Sequence, residues 1–318
     1  MNKKLSIVLI ILLSTLLILV VGGMIFLMNN SSSILDFKIN TIGIHTGLSK
    51  KLVDEKEITD AKPLDIEFDA ADVFVKVSET NTIKVELYGE DPGEYEITES
   101  LDKIKVVLKN KEKNHIKWGF NIKQNNIKIY LPANYAYMIN AKGTAGDISI
   151  DDFSSASLNA ELTSGDVEIN QINYATIALK SGDVEIESAY DVKTSATSGD
   201  VEIGTVRNLE VSTTTGDVDV SEVDTIKAKT TTGDYTIGIV NASLDIATTS
   251  GDISILKANI TNNSRIKATT GDVNINNIGE SIYVDASAST GDVKVKNSDR
   301  KSDVVLNIHT TTGDINVH

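Results

Sequence analysis

The hexapeptide Ser-Gly-Asp-Val-Glu-Ile occupies Ser164–Ile169 and occurs again, letter for letter, at Ser181–Ile186 and at Ser198–Ile203. Each copy begins 17 residues after the one before it. Its Gly-Asp pair occurs ten times between residues 146 and 314, at intervals of 17 to 22 residues. An internal repeat of this length is typical of a solenoid, in which each repeat forms one coil that stacks on the next.

The residues after each Gly-Asp pair predict a short β-strand. The first and third positions after the Asp are apolar in every copy, as in Val167 and Ile169, and the position between them is polar. Such period-two alternation is typical of a half-buried strand. A second alternating segment follows about nine residues later, as in Leu209-Glu-Val211. Two short strands and two turns per unit predict a parallel β-solenoid of about ten coils, with the aliphatic residues stacked inside.

The Gly-Asp pairs are the predicted corners of the coils. Glycine adopts positive φ without steric cost, and an Asp carboxylate accepts hydrogen bonds from nearby backbone N–H groups in an Asx-type turn. The predicted structural turns are Gly146, Asp147, Gly165, Asp166, Gly182, Asp183, Gly199, Asp200, Gly216, Asp217, Gly233, Asp234, Gly251, Asp252, Gly271, Asp272, Gly291, Asp292, Gly313 and Asp314.

Stacked corners bring like charges together. Equivalent aspartates in adjacent coils would lie about 4.8 Å apart, the spacing of neighbouring strands. Two carboxylates at that distance repel by about 0.9 kcal/mol in bulk water. Hydrogen-bond donors or a bound cation such as calcium would offset this repulsion. Because calcium takes about six to eight oxygen ligands and each turn offers one Asp, we favour hydrogen-bond capping over calcium and predict no cofactor.

The first 30 residues differ from the rest of the chain. Leu5–Met28 is a run of 24 residues without a charged side chain, which would span about 36 Å as a helix, enough to cross a bilayer. Lys3 and Lys4 precede the run and favour a cytoplasmic N-terminus. The run is longer than the apolar part of a signal peptide and ends without an Ala-x-Ala pattern, so we favour an uncleaved anchor over a cleaved signal peptide.

The predicted fold class is therefore all-β, preceded by one N-terminal transmembrane helix. The bulk of the chain is expected to be extracellular, on a single-pass protein of the cell membrane. The predicted segments are a cytoplasmic stub at 1–4, the transmembrane helix at 5–28, a juxtamembrane spacer at 29–60, an irregular N-terminal β section or cap at 61–135, and the Gly-Asp repeat solenoid at 136–318.

Composition excludes several classes of function. The net charge of −15 argues against a nucleic-acid partner, because phosphate backbones are bound by a surplus of Lys and Arg. The absence of cysteine excludes disulfides and cysteine-ligated metal sites. The four histidines, at 45, 115, 309 and 318, show no metal-binding spacing. An acidic, cysteine-free exported chain suits the surface of a bacterium that does not depend on disulfides.

Two repeated side-chain patterns have a functional and a structural interpretation. Glu168, Glu185 and Glu202 would stack outward, where we interpret them as a solvated face and not as the paired acids of a polysaccharide-cleaving enzyme. The only tryptophan, Trp118, lies outside the repeats, so a sugar-stacking cleft is not indicated there. Threonine triplets such as Thr213–Thr215 would form ladders, which suit strand ends better than ice binding.

The order of these motifs resembles a known family. The stretch LDIEFDAADVFVKV at 64–77, the segment IKIYLP at 127–132 and the following T-S/T-G-D-V-x-I repeats are similar to the bacterial "putative adhesin" family, including the LiaG-like cell-envelope proteins. The likeness extends from about Asp54 to His318. It implies a β-solenoid at the cell envelope, with members encoded alongside envelope-stress systems, and it brings no catalytic residues.

The sequence thus predicts a non-enzymatic, membrane-anchored β-solenoid that acts as an adhesin or binding surface at the bacterial cell envelope. The expected partners are the membrane, through the N-terminal helix, and a cell-wall polymer or an envelope protein. An accessory role in sensing envelope stress is the alternative. A polysaccharide-cleaving β-helix enzyme is less favoured.

Overall fold

The structure, a computed structural model, describes residues 51–89, 93–110 and 125–318. The predicted transmembrane helix and cytoplasmic stub lie outside the described residues, as does most of the spacer. No helix in the described ranges has the length and apolar character needed to cross a membrane. Every helix or strand element in those ranges is a strand: β1 (Lys51–Ile58), β2 (Leu64–Ser78), β3 (Ile83–Gly89), β4 (Gly93–Glu99), β5 (Ile104–Asn110), β6 (Asn125–Pro132), β7 (Met138–Ala145), β8 (Ile148–Ser164), β9 (Val167–Ser181), β10 (Val184–Ser198), β11 (Val201–Thr215), β12 (Val218–Thr232), β13 (Tyr235–Ser250), β14 (Ile253–Ala258), β15 (Ser264–Thr270), β16 (Val273–Ile275), β17 (Tyr283–Thr290), β18 (Val293–Val295), β19 (Val305–Thr312) and β20 (Ile315–Val317).

These strands form a parallel β-solenoid of about nine turns, close to the predicted ten. The identical hexapeptides lie directly on one another, since Val184 pairs with both Val167 and Val201. These three valines are each 1% exposed, so stacked copies share one dry aliphatic interior. The all-β parallel solenoid predicted from the repeat is therefore confirmed.

The central coils contain one long strand each where the sequence predicted two short ones. β9, β10, β11 and β12 are all 15 residues long and are separated only by the Gly-Asp pairs. At the second bend the ladder continues from Ile186↔Ile203 to Ser188↔Thr205 and from Ala189↔Val206 to Asp191↔Asn208, and one residue of each strand is left out at each of these two steps. Stacking therefore carries the backbone hydrogen bonds through this bend, because neighbouring coils bend at the same position.

The coils at the C-terminal end do not stack in chain order. β19 lies between β15 and β17, and β20 lies between β16 and β18. The last strands of the chain therefore fill the penultimate coil, and β17 with β18 form the end coil. Val293 of that end coil is 42% exposed, although the same position is buried in the other coils. It is the one residue of its column that departs from the predicted interior, because the end coil has a neighbour on one side only.

The N-terminal end is also out of chain order. β2 lies between β5 and β6 on one side and β7 and β8 on the other, all in parallel register. Three antiparallel strands complete this end: β3 pairs with β6, β4 with β5, and β1 with β3. The section predicted as an irregular cap thus supplies two parallel coils, and antiparallel strands cover the edge that the first coil would expose.

Ion pairs connect β2 to β5 at this end. Lys103 Nζ donates to Asp65 Oδ2 at 2.6 Å. Lys109 Nζ donates to Glu67 at 2.9 Å, and Lys105 Nζ lies 3.2 Å from the same carboxylate. The hydrogen bond from Lys103 lowers the pKa of Asp65, and those from Lys109 and then Lys105 lower the pKa of Glu67.

Acid is therefore expected to loosen the first two coils. Both carboxyl pKa values are lower in the folded chain than in the unfolded chain, so their stabilisation is complete above the unfolded pKa of about 4 and is lost as the pH falls through the folded values. Hydrogen exchange of β2 and β5 near pH 6 and near pH 3, corrected for the intrinsic rate, measures this loss. The Asp65→Asn/Glu67→Gln variant should lose less protection than the wild type, and an equal loss in both would contradict the expectation.

Candidate binding surface

The Gly-Asp corners form a continuous hydrogen-bonded column along the solenoid. The backbone N–H of each Asp donates to Oδ1 of the Asp in the neighbouring coil, as Asp183 does to Asp166 and Asp200 does to Asp183, both at 2.8 Å. Ten such bonds, of 2.7 to 3.2 Å, run from Asp72 to Asp292. The column thus includes Asp72, which follows an Ala where the other corners have Gly.

These hydrogen bonds run between coils, whereas the predicted Asx turn would have closed them within one corner. A hydrogen bond to a charged group contributes about 1.5–3 kcal/mol, which exceeds the repulsion of about 0.9 kcal/mol between neighbouring carboxylates in water. In the part of the chain that the structure describes, no group of three or more metal-ligating side chains comes together. Hydrogen bonds from backbone N–H groups are therefore sufficient to offset the repulsion between the stacked aspartates.

The structure places all ten predicted corner glycines at positive φ, between 123° and 151°. A Cβ on any of them would lie 1.9 to 2.2 Å from a backbone oxygen of the neighbouring coil's corner. Each corner therefore requires glycine for two reasons, namely its positive φ and the close approach of the neighbouring coil.

Asp183→Ala is expected to lower the free energy of unfolding by about 1 kcal/mol, because the loss of the acceptor for the N–H of Asp200 is partly offset by relief of the repulsion from the neighbouring carboxylates. Asp183→Asn should cost less, since the amide oxygen still accepts this bond and the repulsion from its neighbours is removed. Urea unfolding of both variants, each with calcium and with a chelator, provides the measurement. A wild-type stability that rises with calcium, and loses that rise in Asp183→Asn, would instead support a cation in the column.

The strands after four consecutive corners present an acidic column. Glu168, Glu185 and Glu202 are register partners, and Asp219 continues the row. All four side chains are exposed, on the outward face where the sequence placed the three glutamates. Their carboxylates stand side by side along one face, which repels anions.

The second half of the coil carries a shallow groove with a different charge pattern. The groove has a volume of about 340 Å³ and runs across four coils between two columns of outward side chains. Its floor is the backbone at Ala175, Val192 and Leu209, whose side chains point inward and are buried. We call it the Tyr174 groove; one wall is Tyr174, Asp191, Asn208 and Thr225, and the other is Thr176, Lys193, Glu210 and Lys227.

Hydrogen bonds and ion pairs along the axis order both walls. Asn208 Nδ2 donates to Asp191 Oδ1 at 2.5 Å in the first wall. In the second wall, Glu210 accepts from Lys193 at 3.2 Å and lies 3.8 Å from Lys227 Nζ. In the middle of each wall, polar side chains of adjacent coils are thus held by contacts with one another.

An aromatic stack borders this groove. The ring centroids of Tyr174 and Tyr190 are 5.9 Å apart in an edge-to-face arrangement. The guanidinium of Arg207 lies 5.0 Å from the centroid of the Tyr190 ring and also contacts its hydroxyl. Tyr190 and Arg207 occur 17 residues apart, so the repeat period could have revealed their contact. Tyr174 is offset from that spacing by one residue, so the stack was not predicted from the sequence.

The threonine triplets are divided between the interior and the surface. The first residue of each, at Thr213, Thr230 and Thr310, is buried, and the other two are exposed. Thr230 Oγ1 lies 3.1 Å from Thr213 Oγ1 and 2.7 Å from the hydroxyl of Tyr235. Burial raises the pKa of Tyr235 to about 12. The interior therefore holds a short chain of hydroxyl groups in place of aliphatic side chains.

The remaining residues considered for chemistry are dispersed. His309 Nδ1 lies 3.0 Å from Ser287 Oγ on the surface, and the exposed His318 follows β20. His45, His115 and Trp118 lie outside the described residues.

The fold defines a parallel β-solenoid whose outward side chains form ordered columns. The chain belongs to the family described as Toastrack DUF4097, whose sequence signature matches residues 61–190 and 170–318. This match confirms the family resemblance found in the sequence. No curated protein sequence matches the chain.

Several solved structures are similar to this chain at low identity. A "putative adhesin" from Bacteroides fragilis is 16% identical, covers 85% of this chain and 98% of its own, and has a TM-score of 0.37. A "putative lipid binding protein" from Parabacteroides distasonis is 16% identical, with coverages of 83% and 96% and a TM-score of 0.34. A "putative cell adhesion protein" from Clostridium sporogenes is 10% identical, with coverages of 83% and 98% and a TM-score of 0.23.

Proposed function

We propose that this protein is a non-enzymatic binding surface, an adhesin of the bacterial cell envelope, anchored in the membrane by its N-terminal helix and exposed outside the cell. One observation carries the binding role: neighbouring coils repeat the same outward positions in register, so the surface consists of side-chain columns on a rigid sheet. The anchor in this proposal rests on the uncharged run Leu5–Met28.

A columnar surface suits a repetitive or extended partner. Side chains recur along the axis about every 4.8 Å, the distance between neighbouring strands. A partner that repeats along its own length, such as a wall polymer, can therefore meet equivalent groups in successive coils. The backbone ladder supports every column, so little backbone conformational entropy is lost when a partner binds.

Deletion of the gene and measurement of two outputs in the same strain test the proposal. We expect reduced attachment of cells to wall material or to other cells, with an unchanged envelope-stress reporter. Expression of the wild-type chain from a second site should restore attachment. Unchanged attachment together with an altered reporter would contradict the adhesin role and favour the accessory role in stress sensing.

The non-enzymatic part of the proposal has its own test. The purified protein is incubated with wall polysaccharides, and the reducing ends that appear are counted. We expect no increase over buffer. An increase that disappears in a Glu185→Gln variant would overturn this part, because it would assign acid–base chemistry to the acidic column.

A further inference from the structure

We propose that the Tyr174 groove binds a single extended strand of an uncharged glycan. This inference rests on the proposed function, because it names the ligand class and the residues of one binding surface. Three properties of the groove carry it, namely its shape, its charge and its aromatic border.

The shape of the groove fits one polymer strand. The two walls stand on residues i and i+2 of the same β-strands, as Asp191 and Lys193 do, and are therefore about 6.6 Å apart. The groove crosses four coils in the direction of the solenoid axis, which gives it a length of about 14 Å. The surface of a globular protein cannot enter such a narrow channel, whereas a chain of a few sugar rings can lie along its mouth, against the side chains of both walls.

The charges of the groove cancel. Asp191 and Glu210 are acidic, Lys193 and Lys227 are basic, and Glu210 lies between the two lysines. The chain as a whole has a net charge of −15, and the neighbouring face carries the acidic column. A polyanion would therefore meet no surplus of positive charge here. An uncharged strand with hydroxyl and amide groups can instead hydrogen-bond to the wall side chains, which are donors and acceptors in alternation.

The aromatic border supplies the apolar contact that sugar rings need. Tyr174 and Tyr190 are 45% and 41% exposed, although each ring contacts another side chain. Arg207 holds the Tyr190 ring from one side, so the ring is ordered before a ligand arrives. An ordered amphipathic ring binds the C–H face of a sugar at low entropic cost, and the Tyr190 hydroxyl, which accepts a hydrogen bond from Arg207, can still donate its own proton to a sugar oxygen.

Calorimetry on the full chain in detergent micelles tests the inference, with the linear tetrasaccharide of N-acetylglucosamine as the probe. Tyr174→Ala is expected to weaken binding about tenfold, which corresponds to about 1.4 kcal/mol. The matched control is Tyr137→Ala, because Tyr137 is also 45% exposed and lies away from the groove. It should change affinity by less than about twofold. A shift of the Asn208 side-chain amide resonance on titration would place the sugar in the groove.

Three outcomes would overturn the inference: no binding of the tetrasaccharide by the wild type, equal losses in Tyr174→Ala and Tyr137→Ala, or tighter binding of polyglycerol phosphate than of the tetrasaccharide. None of these three outcomes contradicts the adhesin role, which the deletion strain tests separately. Conversely, a deletion strain that attaches normally would contradict the adhesin role without altering the measured affinity of the groove.

Discussion

Gly199→Ala is expected to lower the free energy of unfolding by about 2–5 kcal/mol, because one added methyl group meets two obstacles. Gly199 has a φ of 137°, which side chains with a Cβ rarely adopt. The new Cβ would also lie 1.9 Å from the backbone oxygen of Gly182, so the two coils would have to separate at the corner. Urea unfolding measures the loss, and hydrogen exchange of β10 and β11 shows where the ladder opens.

Two further variants separate the causes of this loss. Gly204→Ala places a Cβ 2.3 Å from the backbone oxygen of Glu187 at an ordinary φ, so it carries the steric part alone and should cost less. Ser195→Ala, at an exposed position of the preceding coil, should change stability by less than about 0.5 kcal/mol. A Gly199→Ala variant as stable as Ser195→Ala would refute the requirement for glycine at the corners.

The repeat made the solenoid predictable because stacking requires the same residue types at the same positions. Val167, Val184 and Val201 share one buried column, and any one of them replaced by a charged residue would break it. The corner glycines were equally predictable from the sequence, because Gly adopts positive φ without steric cost. The hydrogen-bond partners of the aspartates were harder to predict. An Asx turn within one corner and a hydrogen bond between neighbouring coils both require a Gly-Asp pair, so the sequence does not distinguish them.

The order of the end coils was not predictable from the corners. The corners at Gly313 and Gly291 would fit equally well on the corner at Gly271. All three corners are Gly-Asp pairs with the same backbone conformation. The size of the inward side chains offers a weak signal. Ala286 of the end coil stands where the penultimate coil has Ile308 and the coil before it Ile266. Small inward residues reduce the apolar surface that an end coil exposes.

The candidate binding groove was missed for a related reason. A period of 17 residues relates Tyr190 to Arg207 and Tyr174 to Asp191, and neither relation predicts a contact between Tyr174 and Tyr190. That contact crosses from one column to the next at the second bend of the coil. Repetition therefore predicts what stacks along the axis, while contacts between columns depend on side-chain direction at a bend.

Removal of residues 305–318 is expected to release the end coil. β17 and β18 pair only with β19 and β20 in the described part of the chain, so the truncation removes every strand that holds them. Hydrogen exchange in residues 283–295 should rise to near the intrinsic rate, while β9 to β12 keep their protection because solenoid coils contact only their neighbours. Persistent protection of 283–295 would contradict the observed order, unless direct pairing with β15 and β16 is detected.

Two substitutions in one column test the same order in the full-length chain. Ile315 is buried between Val273 and Val293, so Ile315→Asp places an unpaired charge in the interior and should cost more than about 3 kcal/mol. Val293→Asp changes a half-exposed side chain of the end coil and should cost less than about 1 kcal/mol. Stacking in chain order would reverse this ranking, because Val293 would then lie inside and Ile315 at the end. Urea unfolding of the two variants therefore distinguishes the observed order of the end coils from stacking in chain order. The comparison is matched because both variants introduce Asp at neighbouring positions of one column.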